Sequence, residues 1–565
     1  RQKHLGIWRS ASWQQTAVAV SEIAGGLMSL GFAKGECASI LANTVVEWVW
    51  TDLAVLSAAG VANGIYPTDA SSQVQYLCED SRTTVLFVED DEQLDKALEV
   101  REQLPLLRKI VVFDMEGLSN LQDPGIISLD GLRALGREYL TKQPDAIKQR
   151  VAEVQPKDLA ILVYTSGTTG KPKGAMHSHE GLVFTVRGYN TLVSQTATDE
   201  RMCFLPLCHI AERVGGEYHA LYTGAKLNFV ENPETIPENV REIAPTVFTA
   251  VPRVWEKFYS GVMISLKEAG AVQQAAYAWG IGVGTTIADK VLAEQPVSGW
   301  LKLKFQIAQW LVLNNVRKLI GIHRARFLVT GAAPISPDLV RWYLALGVPM
   351  LEVWGMTETC GASTGVPLTK MKPGSIGPAA EFNEVRLDPE TNEILVRGKN
   401  VFMGYLNLPE KTAETITPDG WLHTGDVGVV DSDGYFKITD RMKSELENDL
   451  KFSPYITDAV VIGDKRPYLT VIIMIDQENV EKFAQDRDVP FSNYTSLTRA
   501  TEVQELIQLE IDRVNKKFAR VEQIKKFFLL ETQLTAEDEE LTPTMKLKRK
   551  LVEKKYEPQI SAMYK

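Results

Sequence analysis

Short apolar runs alternate with longer stretches of helical periodicity along the first 150 residues of this chain. Strand-like runs lie at Cys37–Ala42, Val61–Ile65, Thr84–Val88 and Ile110–Phe113, and residues 45–59 have the apolar spacing of a helix. Strands that alternate with helices pair as parallel sheets, and the helices cover the faces of those sheets. The pattern therefore predicts an α/β fold.

The same alternation continues through the middle of the chain. Further strands are predicted at Val247–Ala250, Phe327–Thr330 and Met350–Val353, each followed by a polar or glycine-rich turn. Residues 255–320 have mostly helical character, with an expected interruption at the glycines of 280–284. Ligands of α/β proteins bind at the carboxyl ends of strands, so the turns after these strands are candidate binding elements.

A small α+β domain is predicted after a boundary near Asp440–Lys443. Two strand candidates, Ala459–Gly463 and Leu469–Met474, precede an amphipathic helix and a last strand at Phe527–Leu530. The apolar positions of that helix are Val503, Ile507, Ile511, Val514, Phe518 and Val521. We therefore expect a large N-terminal domain with parallel-rich sheets over residues 1–440 and a small, mobile C-terminal domain over 441–565.

Composition limits the function classes. The chain has 565 residues and a formal net charge of −11, which argues against a general nucleic-acid binder. Its five cysteines are scattered, which favours reduced thiols in the cytoplasm, and no apolar run is long enough for a spanning helix. Peripheral contact with a membrane stays open, as does the oligomeric state. Because the sequence starts at Arg1, we expect the native N-terminus and any targeting signal to lie outside it.

The segment Tyr164–Gly174 carries the clearest chemical signal. It follows the apolar run Leu159–Val163 and combines three glycines, hydroxyl side chains and the cations Lys171 and Lys173. Such a loop can turn backbone N–H groups, hydroxyls and cations toward phosphate oxygens. It differs from the common mononucleotide loop, which has glycines five apart and leads directly into a helix, because Pro172 blocks direct helix entry.

This segment resembles the phosphate-binding signature of the acyl-adenylate-forming enzymes, a family of acyl-CoA synthetases, luciferases and peptide-synthetase adenylation domains. Further segments match that family's motifs in order: Thr330–Pro334, Trp354–Glu358, Gly420–Asp426 and Asp440–Lys443. Within the family, the chain is most similar to the long-chain fatty acyl-CoA synthetases, including the bubblegum type. The segments that carry this closer likeness are Phe204–His209, Val46–Trp48 and Leu541–Lys546.

The resemblance implies sites for ATP and Mg²⁺. Phosphate contacts fall on Thr165, Ser166, Gly167, Thr168, Thr169, Gly170, Lys171 and Lys173, and a magnesium ion on Thr168 and Glu358. The adenine site falls on Gly331, Ala332, Ala333, Trp354, Gly355 and Met356, with Thr357 at the α-phosphate. Asp426 is placed on the ribose hydroxyls, and Arg441 contacts ribose and phosphate.

Three further residues are implied by the resemblance. His209 lies near the acyl carboxylate and gates its pocket, Lys443 is the hinge of the small domain, and Lys546 is the adenylation lysine. Alignment on Thr544 selects Lys548 instead, so both lysines stay candidates. About a dozen residues of the family pattern are missing after Lys443. Because the sequence after this point matches the family pattern again, we expect that the natural protein contains these residues and that this sequence omits them.

The sequence thus predicts an ATP-dependent acyl-CoA synthetase that activates a medium- to long-chain fatty acid through an acyl-AMP intermediate, with CoA as the acyl acceptor. The near alternative is a ligase that adenylates aryl or other carboxylates. A non-catalytic acyl-nucleotide-binding protein is the alternative from another class, and the presence of Lys173, Glu358, Asp426 and Arg441 argues against it.

Overall fold

The chain forms two compact units in a computed structural model. The structure describes residues 1–165, 171–438, 442–463, 466, 468–518, 523–534 and 548–565. The first unit combines Arg1–Asn239, Trp354–Thr364 and Ala379–Gly425, and the second combines Val240–Val353, Gly365–Pro378 and Asp426–Lys565. The predicted division of the chain at residue 440 stays a prediction.

The secondary structure follows the alternation read from the sequence. The strands are β1 Gln2–His4, β2 Ile7–Arg9, β3 Cys37–Leu41, β4 Val61–Ile65, β5 Thr83–Val88, β6 Lys109–Val112, β7 Ile126–Ser128, β8 Leu159–Thr165, β9 Lys173–Ser178, β10 Glu200–Cys203, β11 Lys226–Phe229, β12 Val247–Ala250, β13 Phe327–Thr330, β14 Met350–Met356, β15 Gly361–Gly365, β16 Glu384–Leu387, β17 Glu393–Arg397, β18 Gly404–Tyr405, β19 Leu422–Val430, β20 Phe436–Ile438, β21 Ile456–Ile462, β22 Leu469–Ile475 and β23 Ile524–Leu529.

The helices are α1 Trp13–Ser29, α2 Val46–Ser57, α3 Ser71–Asp80, α4 Asp91–Val100, α5 Leu129–Lys142, α6 Ala146–Ala152, α7 His179–Leu192, α8 Ile210–Glu212, α9 His219–Thr223, α10 Ile236–Ile243, α11 Pro252–Glu268, α12 Ala271–Leu292, α13 Gly299–Ala308, α14 Asn314–Ile320, α15 Pro337–Ala345, α16 Pro409–Thr415, α17 Met442–Lys451, α18 Gln477–Gln485, α19 Tyr494–Arg499, α20 Thr501–Asn515, α21 Arg549–Lys555 and α22 Glu557–Met563. Two π-helical turns, Arg213–Tyr218 and Gln309–Leu313, interrupt the helical regions. None of the helices that the structure describes has the length and apolar character of a membrane span.

An eight-stranded sheet organises the first unit, with strand order β18-β9-β8-β4-β3-β5-β6-β7. Strands β3 to β8 pair in parallel, whereas β9 and β18 add an antiparallel edge. Every residue of β3, β4 and β5 is buried, as expected for strands covered by helices on both faces. The predicted parallel-rich α/β fold is confirmed.

A buried ion pair joins the helices of this unit to its sheet. Arg213, in the π-helical turn, donates to the carboxylate of Asp52 on α2, and both side chains are fully buried. Its guanidinium also donates to the carbonyl oxygens of Ala62 on β4 (3.2 Å) and Leu162 on β8 (3.3 Å). Tyr218 completes the set by donating to Asp52 at 2.6 Å. Burial lowers the pKa of Arg213, but Asp52 beside it reverses this effect and the net shift is upward, so Arg213 stays charged.

The second unit contains a parallel set of strands, β12, β13 and β14 as far as Val353, and the three-stranded sheet β21-β22-β23 near the C-terminus. Helix α20 buries Val503, Ile507, Ile511 and Val514 in the core beside the second sheet. These four positions are spaced by three and four residues, which confirms the amphipathic interpretation. The helix ends at Asn515, however, so the predicted position Phe518 lies beyond it. Val521 lies outside the described residues.

The expected interruption at residues 280–284 is wrong. Helix α12 runs without a break through this segment. A Cβ at Gly280 would lie 3.2 Å from the Cβ of Val312, and a Cβ at Gly284 would collide with the carbonyl oxygen of Ala345. These glycines therefore allow neighbouring elements to approach the helix closely, and packing outweighs the low helix propensity of glycine.

We expect Asp52→Asn to lower the free energy of unfolding by about 3 to 5 kcal/mol, because it leaves the buried charge of Arg213 without its counter-charge. The measurement is equilibrium unfolding in urea. Glu138→Gln, which removes an exposed ion pair with Lys142, is the control and should change stability by less than about 1 kcal/mol. Equal effects of the two substitutions would show that the buried pair does not stabilise the fold.

Candidate functional site

The predicted phosphate-binding segment connects two paired strands. β8 and β9 are antiparallel, and Thr165 at the end of β8 is the register partner of Lys173 at the start of β9. The chain thus returns as a strand after Pro172, in keeping with the expectation that this proline prevents direct helix entry. Five predicted contacts lie outside the described residues: Ser166, Gly167, Thr168, Thr169 and Gly170.

Both lysines of this hairpin lie over aromatic rings. The ammonium of Lys171 is 4.7 Å from the ring centre of Tyr76, and that of Lys173 is 4.4 Å from the ring centre of Tyr405. Tyr76 also donates a hydrogen bond to the carbonyl oxygen of Pro172 at 3.0 Å, which fixes the ring beside the hairpin. A cation–π contact contributes only about 0.5 to 1 kcal/mol at an exposed site, so a phosphate can replace it at low cost.

Tyr405 connects this hairpin to the predicted magnesium ligand. It lies on β18, which pairs with β9 through Tyr405 and Ala175. Its hydroxyl donates a 2.6 Å hydrogen bond to Oε1 of Glu358, whose side chain is buried. Burial and the Glu358 carboxylate both raise the pKa of Tyr405, so the hydroxyl remains a donor at neutral pH.

Glu358 is held in a tight turn that follows β14. The turn Thr357–Thr359 closes with hydrogen bonds between Thr359 Oγ1 and both the N–H (3.0 Å) and the carbonyl oxygen (3.1 Å) of Met356. The N–H of Phe402 donates to the Glu358 carbonyl oxygen at 2.9 Å. A Cβ at Gly355 would collide with the carbonyl oxygen of Gly361, so the close return of the chain requires glycine at this position.

His209 caps the short helix α8. Its Nδ1 accepts a 3.2 Å hydrogen bond from the N–H of Ala211, and the side chain is half-buried. A nitrogen that accepts a hydrogen bond carries no proton, so the neutral ring carries its proton on Nε2. In this tautomer Nε2 is the donor of the ring.

The predicted adenine turn belongs to the second unit and follows β13. Ala332 has φ of +67°, a left-handed conformation that is rare for a residue with a side chain, and Ala332 and Ala333 are exposed. A Cβ at Gly331 would lie 2.8 Å from the carbonyl oxygen of Val353, so the turn packs directly against β14. A strained, exposed turn of small residues at the end of a strand is typical of a ligand contact.

Two other predicted nucleotide contacts lie on strands. Asp426 is half-buried on β19 in the second unit, and Trp354 is buried on β14 in the first. The buried carboxyl of Glu352, two residues before Trp354, accepts from the N–H of Gly374 at 3.0 Å. Burial raises the pKa of Glu352 to about 8, which favours its neutral form at pH 7.

The C-terminal candidates are described in part. Arg441 and Lys546 lie outside the described residues, and the predicted hinge Lys443 falls in the first turn of α17. Lys548 is half-buried and immediately precedes Arg549 at the start of α21. Arg549 donates to Glu447 on α17 and to the carbonyl oxygen of Val461 at 3.0 Å. These hydrogen bonds of Arg549 fix the chain one residue after Lys548 and three residues after Lys546.

The cysteines take no part in the candidate chemistry. All five are free and buried. Burial raises the pKa of Cys360 to about 12, which keeps its thiol protonated although it lies two residues after Glu358. Cys203 and Cys208 pack in the interior.

Sequence reasoning missed Tyr76 and Tyr405. Neither tyrosine lies in a recognisable sequence motif. Its role depends on contacts between distant parts of the chain. Tyr405 reaches Glu358 only because β18 joins the edge of the sheet beside β9. A spacing rule within one segment cannot find such a residue.

The fold is shared with solved structures of adenylate-forming enzymes. The anthranilate CoA ligase AuaEII, solved with anthranoyl-AMP, superposes with a TM-score of 0.73 at 20% identity, covering 98% of this chain and 93% of that one. The adenylation domain of a carboxylate reductase from Mycobacterium chelonae gives a TM-score of 0.73 at 23% identity, with 98% and 84% coverage. These comparisons show that the chain has the fold of these structures.

The chain belongs to the AMP-binding enzyme family. Residues 2–406 match that family, and residues 442–565 match the AMP-binding enzyme C-terminal domain. The long-chain-fatty-acid–CoA ligase ACSBG2 of Xenopus laevis is 30% identical, covering 99% of this chain and 80% of the relative. The long-chain-fatty-acid–CoA ligase FadD15 of Mycobacterium bovis is 31% identical, with 99% and 93% coverage. The predicted family, with its likeness to the bubblegum type, is confirmed.

We expect Tyr405→Phe to reduce acid-dependent pyrophosphate release from ATP about 10- to 100-fold, because a hydrogen bond to a charged group contributes about 1.5 to 3 kcal/mol. The aromatic ring that supports Lys173 is retained in this variant. Tyr435→Phe is the control, since it also removes a buried tyrosine hydroxyl, which donates to the Lys370 carbonyl oxygen at 2.7 Å. Equal activity of the two variants would contradict a role for the Tyr405–Glu358 contact.

Proposed function

We propose that this protein is an ATP-dependent acyl-CoA synthetase that activates medium- to long-chain fatty acids. The observation that carries the proposal is the connected set in the first unit: the β8–β9 hairpin with its two lysines, and the buried Glu358 held by Tyr405. Relatives named as long-chain-fatty-acid–CoA ligases align with 99% of the chain and support this substrate class. They favour it over an aryl-acid ligase or a non-catalytic nucleotide binder.

The first half-reaction joins two anions, and the chain must offset their repulsion. A carboxylate about 4 Å from a phosphate is repelled by about 4 kcal/mol at an effective dielectric constant of 20. In our proposal, Lys171, Lys173 and the loop residues 165–170 surround the phosphates, and Thr357 donates to the α-phosphate. These contacts stabilise the extra negative charge that develops as pyrophosphate leaves.

Glu358 and Thr168 would hold the magnesium ion of this reaction. A single carboxylate suits a cation that keeps several water ligands, and the hydrogen bond from Tyr405 to Oε1 leaves Glu358 Oε2 for this purpose. When bound, the ion would supply positive charge that offsets the negative charge of the phosphates. Among the described residues no cluster of three or more His, Cys, Asp or Glu side chains is arranged for a metal.

The remaining proposed roles concern orientation. Gly331, Ala332, Ala333, Trp354, Gly355 and Met356 bind adenine, while Asp426 accepts from the ribose hydroxyls and Arg441 contacts ribose and phosphate. His209 donates from Nε2 to the fatty-acid carboxylate, because its Nδ1 is already engaged. In the second half-reaction the CoA thiol attacks the acyl carbon and AMP departs. Lys443 is the proposed hinge between the two steps.

A panel of carboxylic acids tests the substrate class. We expect kcat/KM to rise about fourfold for each added methylene up to a limit, because each buried methylene contributes about 0.8 kcal/mol. Pyrophosphate release is measured with acids from acetate to hexadecanoate, and with benzoate. A preference for acetate or benzoate over dodecanoate would refute the fatty-acid assignment and support another carboxylate ligase.

The adenylation lysine can be identified by separating the two half-reactions. We expect Lys546→Ala to abolish pyrophosphate release but to leave conversion of a synthetic acyl-adenylate and CoA into acyl-CoA unchanged, because this lysine acts only where charge develops at the α-phosphate. Lys548→Ala is the matched control and should retain the first step. The opposite result would assign the role to Lys548, and loss of both steps in Lys546→Ala would contradict a lysine specific to adenylation.

A further inference from the structure

A row of large apolar side chains is exposed on one face of α13 and the π-helical turn that follows it. These residues, called here the α13 face, are Trp300 (66% exposed), Leu303 (46%), Ile307 (41%), Trp310 (77%) and Leu311 (50%). Their spacing of three, four, three and one residues places them on one side of a helix. The opposite side of this helical segment packs against the protein, because Ala308 and Leu313 are buried.

Exposure of this kind needs a physical reason. Tryptophan is buried on average, and a contiguous exposed apolar patch on a protein marks an interaction site. None of these five side chains belongs to the nucleotide or acyl site proposed above. The α13 face is therefore a candidate interaction surface.

The charges around the face indicate what covers it. The segment 295–337 contains six Lys or Arg residues and neither Asp nor Glu, in a protein whose net charge is −11. Lys302 and Lys304 are exposed on α13 itself, and the ammonium of Lys304 lies 5.4 Å from the ring centre of Trp300. Tryptophan beside lysine on one helix matches the interface of an anionic bilayer, where the rings enter the headgroup region and the cations attract phosphate groups.

We propose that the α13 face docks the protein on an anionic lipid surface, with the helix lying in the plane of the headgroups. The indole rings and Leu303, Ile307 and Leu311 enter the boundary of the acyl chains, while Lys302 and Lys304 remain among the lipid phosphates. The proposal goes beyond the acyl-CoA synthetase activity and does not rest on it, since docking requires neither ATP nor a fatty acid.

Co-sedimentation with vesicles tests the proposal. The full chain should bind vesicles of phosphatidylcholine containing phosphatidylglycerol, and should bind pure phosphatidylcholine vesicles at least fivefold more weakly. Raising the salt concentration should weaken the binding, because exposed charges are screened. Binding that is absent, or equal for the two vesicle compositions, would overturn the proposal.

Two paired variants locate the surface. Trp300→Ser with Trp310→Ser should reduce binding roughly tenfold or more. Lys302→Gln with Lys304→Gln should reduce binding to the anionic vesicles by about fivefold for each lysine. The matched controls are Leu509→Ser, at a residue that is 67% exposed on α20, and Lys142→Gln with Lys148→Gln, at two exposed helix residues. The controls should bind like the unmodified chain.

Structural integrity is checked by the thermal unfolding midpoint, which should not change by more than a few degrees in any variant. Unchanged vesicle binding in the tryptophan pair would overturn the assignment of the surface. A second copy of the chain is the other molecule that could cover the face, and sedimentation equilibrium without lipid tests for it. If the unmodified chain is a dimer and the tryptophan pair is a monomer, a second copy covers the face and lipid docking is refuted. Failure of any of these tests leaves the proposed catalytic function untouched.

Discussion

The buried pair of Arg213 and Asp52 is the interaction on which the first unit depends. Removing two charges from water costs several kcal/mol for each ion, and only excellent geometry compensates for it. Here the guanidinium has an acceptor at each of its nitrogens: the Tyr218 hydroxyl, the Asp52 carboxylate and two strand carbonyls. Because those carbonyls belong to β4 and β8, the pair fixes the π-helical turn against the sheet.

This position has a consequence for the site. β8 ends at Thr165, where the phosphate segment begins, and Arg213 N–H donates to the carbonyl oxygen of His209 at 3.1 Å. Arg213 therefore contacts both parts: its guanidinium donates to β8, which leads to the predicted phosphate-binding segment, and its backbone N–H donates to the segment that carries the proposed carboxylate donor. The cost of burying Arg213 is offset by its ion pair with Asp52 and by hydrogen bonds at all three guanidinium nitrogens.

The sequence predicted strands well because their apolar runs are bounded by polar turns. Val61–Ile65, Val247–Ala250 and Phe327–Thr330 have the predicted bounds to the residue. The predicted interruption at 280–284 was wrong, because the glycines there allow neighbouring helical elements to pack closely against the helix. This packing outweighs the low helix propensity of glycine. The site motifs were visible as segments, but Tyr76, Tyr405 and Arg213 were not, because their contacts join residues that are about 50 to 230 positions apart in the chain.

An acidic protein that binds anions must keep selected cations away from its own carboxylates. An exposed lysine such as Lys142 pairs with Glu138 at 2.6 Å, and its charge is largely cancelled. Lys171, Lys173 and Lys304 instead lie over the rings of Tyr76, Tyr405 and Trp300. The quadrupole of an aromatic ring attracts an ammonium group without carrying a net charge, so the lysine is oriented while its positive charge remains available. In our two proposals, the same device serves the phosphates of a nucleotide in the first unit and the phosphates of a lipid surface in the second.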